Sequence, residues 1–127
     1  MKFLPCALLA TTLLSGCSLF APSHPGLWAY GKVTEAGTGT PIAGASISVF
    51  GTTLRSGAGG CFKLQRADAL PFEFVVSNPG DKPAASVPPR GYFHVSVELA
   101  PEGSQGASAV TWAEANEQAF IAAPDCN

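Results

Sequence analysis

His94, Ser96 and Glu98 carry the side chains of a base, a nucleophile and an acid, and they occupy alternate positions of one segment, Gly91–Leu99. Alternation puts all three on one face of a strand, opposite Phe93, Val95, Val97 and Leu99. Neighbours two apart along a strand stand about 6–7 Å apart, too far for a nucleophile–base hydrogen bond. No nucleophile elbow or oxyanion donor is spelled nearby. One His and one Glu are too few ligands to hold a metal. The second histidine, His24, sits in a proline-flanked stretch remote from His94. Asp68 and Glu73 lie in a connector and on a strand without evident partners, a weak acid–base pair. Gly57-Ala58-Gly59-Gly60 is followed by neither a lysine nor a helix, which argues against a phosphate cradle. The expectation is therefore no catalytic residue, no cofactor site and no metal site. Trp28, Tyr30, Tyr92 and Trp112 remain as aromatic groups that could form a flat platform for a sugar or a protein surface. The packed alternative has Trp112 covering an open end of the sheet.

The elements that must position these groups are short. Leu27–Val33 is rich in strand formers. Ser46–Phe50 alternates Ile47 and Val49 with Ser46 and Ser48, the period of a half-buried strand. Thr52–Ser56 and Cys61–Leu64 read as two further strands, the second with Phe62 and Leu64 on one face and Cys61 and Lys63 on the other. Phe72–Ser77 places Phe72, Phe74 and Val76 together, and Gly91–Leu99 is the clearest strand of all. Asn78–Pro89 and Ala100–Gly106 read as loops. Thr111 to Glu114 has the spacing of a capping box, which predicts a short helix over Trp112–Phe120 with Trp112 and Ala119 or Phe120 on its inner side. The chain has 127 residues with 14 Gly and 11 Pro, and only 13% are charged. Many turns between short periodic strands read as a small antiparallel β-sandwich.

The N-terminus is of a different kind. Lys2 precedes an uncharged apolar run, Phe3–Leu14, too short for a transmembrane helix of about 20 residues. A basic start, a short apolar run and then small residues describe a secretory signal. The run closes on Leu14-Ser15-Gly16-Cys17, which resembles the lipobox of bacterial lipoproteins. The resemblance implies removal of Met1–Gly16 and lipidation of Cys17, with Cys17–Gly26 as the tether. Several acyl chains make such an anchor firm where one would bind only marginally. Ser18, rather than Asp, follows the cysteine, which implies the outer membrane and its periplasmic face. The remaining chain carries six basic residues (Lys32, Arg55, Lys63, Arg66, Lys82, Arg90) against nine acidic ones, all scattered. A nucleic-acid groove needs clustered Lys and Arg, so nucleic acid is set aside.

With Cys6 removed and Cys17 modified, Cys61 and Cys126 remain in an oxidising compartment, and a disulfide is the natural outcome. A metal pair lacks histidines nearby, and free thiols suit the compartment poorly. The bond would contribute about 4 kcal/mol by loop-closure entropy. Because Cys61 faces away from Phe62 and Leu64, the tail must wrap over the outside of its sheet.

Gly31-Lys32-Val33, then Gly39-Thr40-Pro41-Ile42-Ala43-Gly44-Ala45, then Gly60-Cys61-Phe62 resembles the carboxypeptidase regulatory-like domain, over roughly Leu27–Leu99. That family has a transthyretin-like sandwich of about seven strands. The resemblance implies this fold for 27–99 and a non-catalytic module, with 100–127 as an extension carrying a short helix and Cys126. Related transthyretin-like hydrolases of 5-hydroxyisourate need several His, an Arg and a Tyr-Arg-Gly-Ser type of ending; this chain has two His and reads Pro124-Asp125-Cys126-Asn127. The expectation is a non-enzymatic envelope lipoprotein, bound to the membrane by its lipid and to a protein or glycan partner by its loops or a sheet edge. The alternatives are an assembly lipoprotein of a secretion system, some of which share this sandwich, and a small hydrolase.

Overall fold

The computed structural model describes residues 26–49, 51–66 and 73–126. The signal segment, Cys17 and the rest of the tether up to Pro25, His24, Phe50, Asp68 and Phe72 lie outside them. Eight strands follow one another: β1 Leu27–Glu35, β2 Ser46–Val49, β3 Thr52–Arg55, β4 Cys61–Arg66, β5 Phe74–Ser77, β6 Ala84–Ser86, β7 Gly91–Leu99 and β8 Ala109–Glu114. One helix, α1, spans Glu117–Ala122. The strands form two four-stranded sheets, ordered β4-β1-β7-β8 and β3-β2-β5-β6. This is the small all-β sandwich that the alternation predicts.

The core lies between the sheets. Leu27, Ala29 and Val33 enter it from β1, Phe62 and Leu64 from β4, and Val95, Val97 and Leu99 from β7. Ile47, Val49, Phe74, Val76 and Ala84 meet them from the second sheet. Each set recurs at every second residue, because successive side chains of a strand point to opposite faces.

The glycine- and proline-rich turn between β1 and β2 has a defined purpose. Thr34 bridges to Pro41, and Gly44 takes φ +82°, a left-handed conformation that costs other residues energy. The turn closes on Ser56, which is buried: its hydroxyl donates to Ile42 O (2.6 Å) and accepts from Ala45 N (2.9 Å). A buried hydroxyl satisfied in both directions avoids the desolvation cost of an orphan.

Three expectations are corrected. First, the sandwich is not antiparallel throughout: β1 and β7 pair in parallel over Leu27–Glu35 and Gly91–Leu99. Parallel neighbours need a long crossover, and here it comprises β2 to β6. Second, the Asn78–Pro89 loop contains β6, paired antiparallel with β5 and carrying no apolar pattern beyond Ala84.

Third, Thr111–Glu114 is not a capping box. Those residues belong to β8, which pairs with β7 from Phe93↔Glu114 to Glu98↔Ala109. Val110 and Trp112 alternate toward the core, and that burial overrides the local cap signal. The Trp112 ring packs edge-on against Phe74 at 5.1 Å and Phe93 at 6.1 Å, and its Nε1 donates to Ser86 Oγ (2.9 Å). It thereby joins the sheets at the β6–β8 end. The helix begins later, N-capped by Asn116, whose Oδ1 accepts from Ala119 N (2.8 Å).

A carboxyl pair stands where the sheets meet their loops. Asp81 is 8% exposed, accepts from Asn78 Nδ2 (3.0 Å) and bridges to Pro101. Glu35, the last residue of β1, sits beside it with Oε1 buried and unpartnered. Desolvation first, then the Asp81 charge and its hydrogen bond, push the Glu35 pKa above its ordinary 4.5. The folded chain therefore holds the proton more tightly than the unfolded one. This contribution is fully present below about pH 4.5 and fades as pH rises through the elevated folded value. Glu35→Gln keeps the shape and supplies a donor toward Asp81. It is expected to raise the melting temperature at neutral pH and to flatten the pH dependence above pH 4.5. Calorimetry across that range checks it; a lower melting temperature at neutral pH would show that the charge is wanted.

Candidate functional site

The parallel β1–β7 pair determines what the outer face of the first sheet carries. Residues pointing away from the core are Trp28, Tyr30 and Lys32 on β1, Tyr92, His94, Ser96 and Glu98 on β7, and Cys61, Lys63 and Gln65 on β4. Register places them in rows. Trp28 stands between Gln65 and Tyr92, Tyr30 between Lys63 and His94, and Lys32 between Cys61 and Ser96. Trp28 and Tyr92 stack with ring centroids 5.2 Å apart, and Tyr30 tilts against His94 at 5.1 Å.

The C-terminal tail crosses this face, as the facing of Cys61 predicts. Its first anchor is Ala115 N donating to Tyr92 O (2.9 Å). The helix then turns Phe120 inward until only 8% of it is exposed, edge-on to Tyr92 at 5.9 Å and to Tyr30 at 6.5 Å. Lys63 Nζ lies 4.8 Å from the Phe120 ring centre, a cation–π contact, and donates to Ala123 O (3.1 Å) and Ile121 O (3.4 Å). It thus caps the carbonyl end of α1, where a cation is favoured. The last anchor is the Cys61–Cys126 disulfide, with Cα atoms 5.8 Å apart. The expected pair of cysteines is the pair joined.

Beside the tail is a small apolar concavity of about 180 Å³ lined by Tyr30, Lys32, Cys61, His94 and Pro124. Small-molecule sites usually run from ~300 Å³ upward, so this one has room for a single ring or side chain. Burial and the nearby Glu117 carboxylate raise the Tyr92 phenol above its ordinary value, so it stays protonated at neutral pH.

The catalytic candidates are placed as follows. His94, Ser96 and Glu98 share the exposed outer face of β7 but follow one another along it, with Lys32 beside Ser96 and Thr34 beside Glu98. Glu73 is exposed just before β5. Among the described residues no three His, Cys, Asp or Glu side chains gather as a metal would require. Gly57–Gly60 forms a turn under the tail: a Cβ on Gly57 would collide with the Cys126 carbonyl. Trp28, Tyr30 and Tyr92 share one outer face and are half-buried there, with Phe120 packed on Tyr30 and Tyr92; Trp112 is turned to the core. Sequence reasoning offered Phe120 as an inner residue of the predicted helix but not its seat on Tyr30 and Tyr92, and it missed Lys63. The available signal for that seat was that Phe120 is the one aromatic residue after Trp112, in a tail that a disulfide had to hold down.

No family model matches the chain. No curated protein matches it either. Among solved structures, the chain is similar to a Bacteroides fragilis protein of unknown function described as provisionally membrane-associated, at 19% identity and a TM-score of 0.46. The match covers 65% of this chain and 30% of that one. A likeness of that size does not establish a shared fold. No described helix is long and apolar enough to cross a membrane.

Proposed function

We propose that the protein is a non-enzymatic lipoprotein of the bacterial cell envelope, anchored through Cys17 in the outer membrane on its periplasmic side. In this role it holds a transthyretin-like sandwich of the carboxypeptidase regulatory-like type toward a protein or glycan partner. The observation that carries the reading is the Leu14-Ser15-Gly16-Cys17 sequence at the end of an apolar run, with a short proline-containing tether before β1. The sandwich supplies the means of contact. The outer edge of β8 has no further backbone partner among the described residues, and its Ala109, Thr111 and Ala113 are exposed. An unpaired strand edge accepts an extended segment of another chain. The spread of His94, Ser96 and Glu98 along one strand favours binding over hydrolysis.

Replacing Cys17 by Ser tests the anchor. The variant is expected to leave the membrane fraction and to keep its signal segment or be processed elsewhere. If it remains membrane-bound with normal processing, the lipoprotein reading fails. A photo-crosslinking residue at Ala113 is expected to capture an envelope partner, and the same probe at Ala58 is not. Capture of secretion-machinery components would favour the assembly alternative. Turnover of an ester or amide panel that is lost in His94→Ala would favour the hydrolase.

A further inference from the structure

We propose that residues 115–126 form a redox-latched strap, which two-electron reduction of Cys61–Cys126 releases from the aromatic face of Trp28, Tyr30, Tyr92 and His94. The proposal does not depend on the anchor or on the partner. It starts from the length of α1. Six residues are far too few for a helix to persist alone, since isolated helices shorter than about 12–15 residues are marginal in water. The strap is therefore held from outside, and its holds are unequal. At its start it is a direct continuation of β8, and Ala115 N is bonded to Tyr92 O. Toward its far end the noncovalent holds include the Lys63 amine on two carbonyls and the Phe120 ring, each of which leaves the backbone beyond Ala123 to the latch and its immediate neighbours. Ile121, on the helix's outer side, is 66% exposed and contributes little.

The latch itself is under backbone strain. Cys126 has φ +43°, and among the described residues it is the one non-glycine with a positive φ. That conformation is unfavourable for a residue with a Cβ and persists where surrounding bonds impose it. The chain here also passes so close to Gly57 that no side chain fits between them. Cutting the disulfide removes the covalent restraint on Cys126 and lets its backbone return to an ordinary conformation, away from Gly57. Both cysteines are half-exposed, within reach of a reductant.

The chemistry is thiol–disulfide exchange with a dithiol reductant. A thiolate of the dithiol attacks one sulfur, forming a mixed disulfide and expelling the other cysteine as thiolate. The second thiol of the dithiol then resolves the mixed disulfide. Cys61 and Cys126 gain two electrons and two protons, and the dithiol leaves as its own disulfide. With the far end free, the Lys63 and Phe120 contacts lose the tether that kept them at high local concentration. The strap then swings on Ala115 and Asn116, and the faces of Tyr30 and Tyr92 that Phe120 covers meet solvent.

Hydrogen exchange by mass spectrometry on the full mature chain tests this, oxidised and then reduced with dithiothreitol, with alkylation confirming two newly exposed thiols. Amides of 117–123 are expected to exchange at least tenfold faster after reduction and to approach the rate of an unstructured chain, while amides of β1 and β7 remain protected, at the lower level a folded sheet without the crosslink retains. Cys126→Ser is expected to show the fast strap without reductant. Gly57→Ala, which disturbs the crossing but leaves the cysteines, is expected to speed reduction of the disulfide. Unchanged exchange at 117–123 in fully reduced protein would overturn the proposal, because the strap would then stand on its noncovalent contacts. Complete loss of protection in β1 and β7 along with 117–123, in both the reduced chain and Cys126→Ser, would also overturn it, because the bond would then be a staple for the whole fold.

Discussion

Gly31→Ala is expected to destabilise the protein by about 3 kcal/mol, the upper end of what overpacking does to a closed core. Gly31 is buried at the centre of β1, between Phe62 on β4 and Val95 on β7. A Cβ built there falls on the Val95 carbonyl, a backbone group of a strand that is itself paired on both sides. No rotamer change relieves such a clash; β1 and β7 must move apart, and the parallel ladder that centres the sheet loosens with them. For a domain of this size the loss corresponds to a melting temperature roughly 10–20 °C lower. Gly37→Ala is the matched control. Gly37 has φ +91° with open space where a Cβ would go, so it isolates the conformational cost, about 1 kcal/mol. Equal losses from the two substitutions would mean that the close approach at Gly31 is not there.

Phe74→Ala is expected to cost about 3–5 kcal/mol, the range for emptying a buried phenylalanine site. Phe74 is fully buried on β5 and meets the first sheet in two places, Phe62 at 6.3 Å and Trp112 at 5.1 Å. Its ring is a contact by which the two layers recognise one another, and its removal leaves a cavity that neither sheet can collapse into alone. Urea denaturation should show a lower midpoint with an unchanged slope. Trp112 emission should change in the folded state, because the indole loses a ring packed on it. Phe120→Ala is expected to cost less, since that ring packs under the strap rather than between the layers. A Phe74→Ala loss below 1 kcal/mol would contradict the packing described.

Several features were readable from the residues because they depend on one segment at a time. The inward set Phe93, Val95, Val97 and Leu99 and the outward set Tyr92, His94, Ser96 and Glu98 follow from alternation alone, and β7 has the boundaries the pattern predicts. The facing of Cys61 put the tail outside its sheet. The helix was expected several residues too early, because Thr111 and Glu114 satisfy a local cap rule that burial of Val110 and Trp112 on β8 overrules. The three residues of β6 have too little pattern to announce a strand.

What the sequence by itself determined is which way each strong strand faces, where the chain turns, and which two cysteines meet. The first two are local, since a period of two belongs to a single strand and a glycine turn to four or five residues; the cysteine pair, 65 residues apart, followed from setting Cys6 and Cys17 aside. Only the tertiary structure decided that β1 lies parallel beside β7. That pairing puts Trp28 on Tyr92 and Tyr30 on His94, opens the space that Phe120 fills, and sets Glu35 against Asp81. Strand neighbours are chosen by how two sheets together bury the most apolar surface at the least loop-closure cost. That balance involves residues more than sixty positions apart, and alternation within one segment holds no record of it.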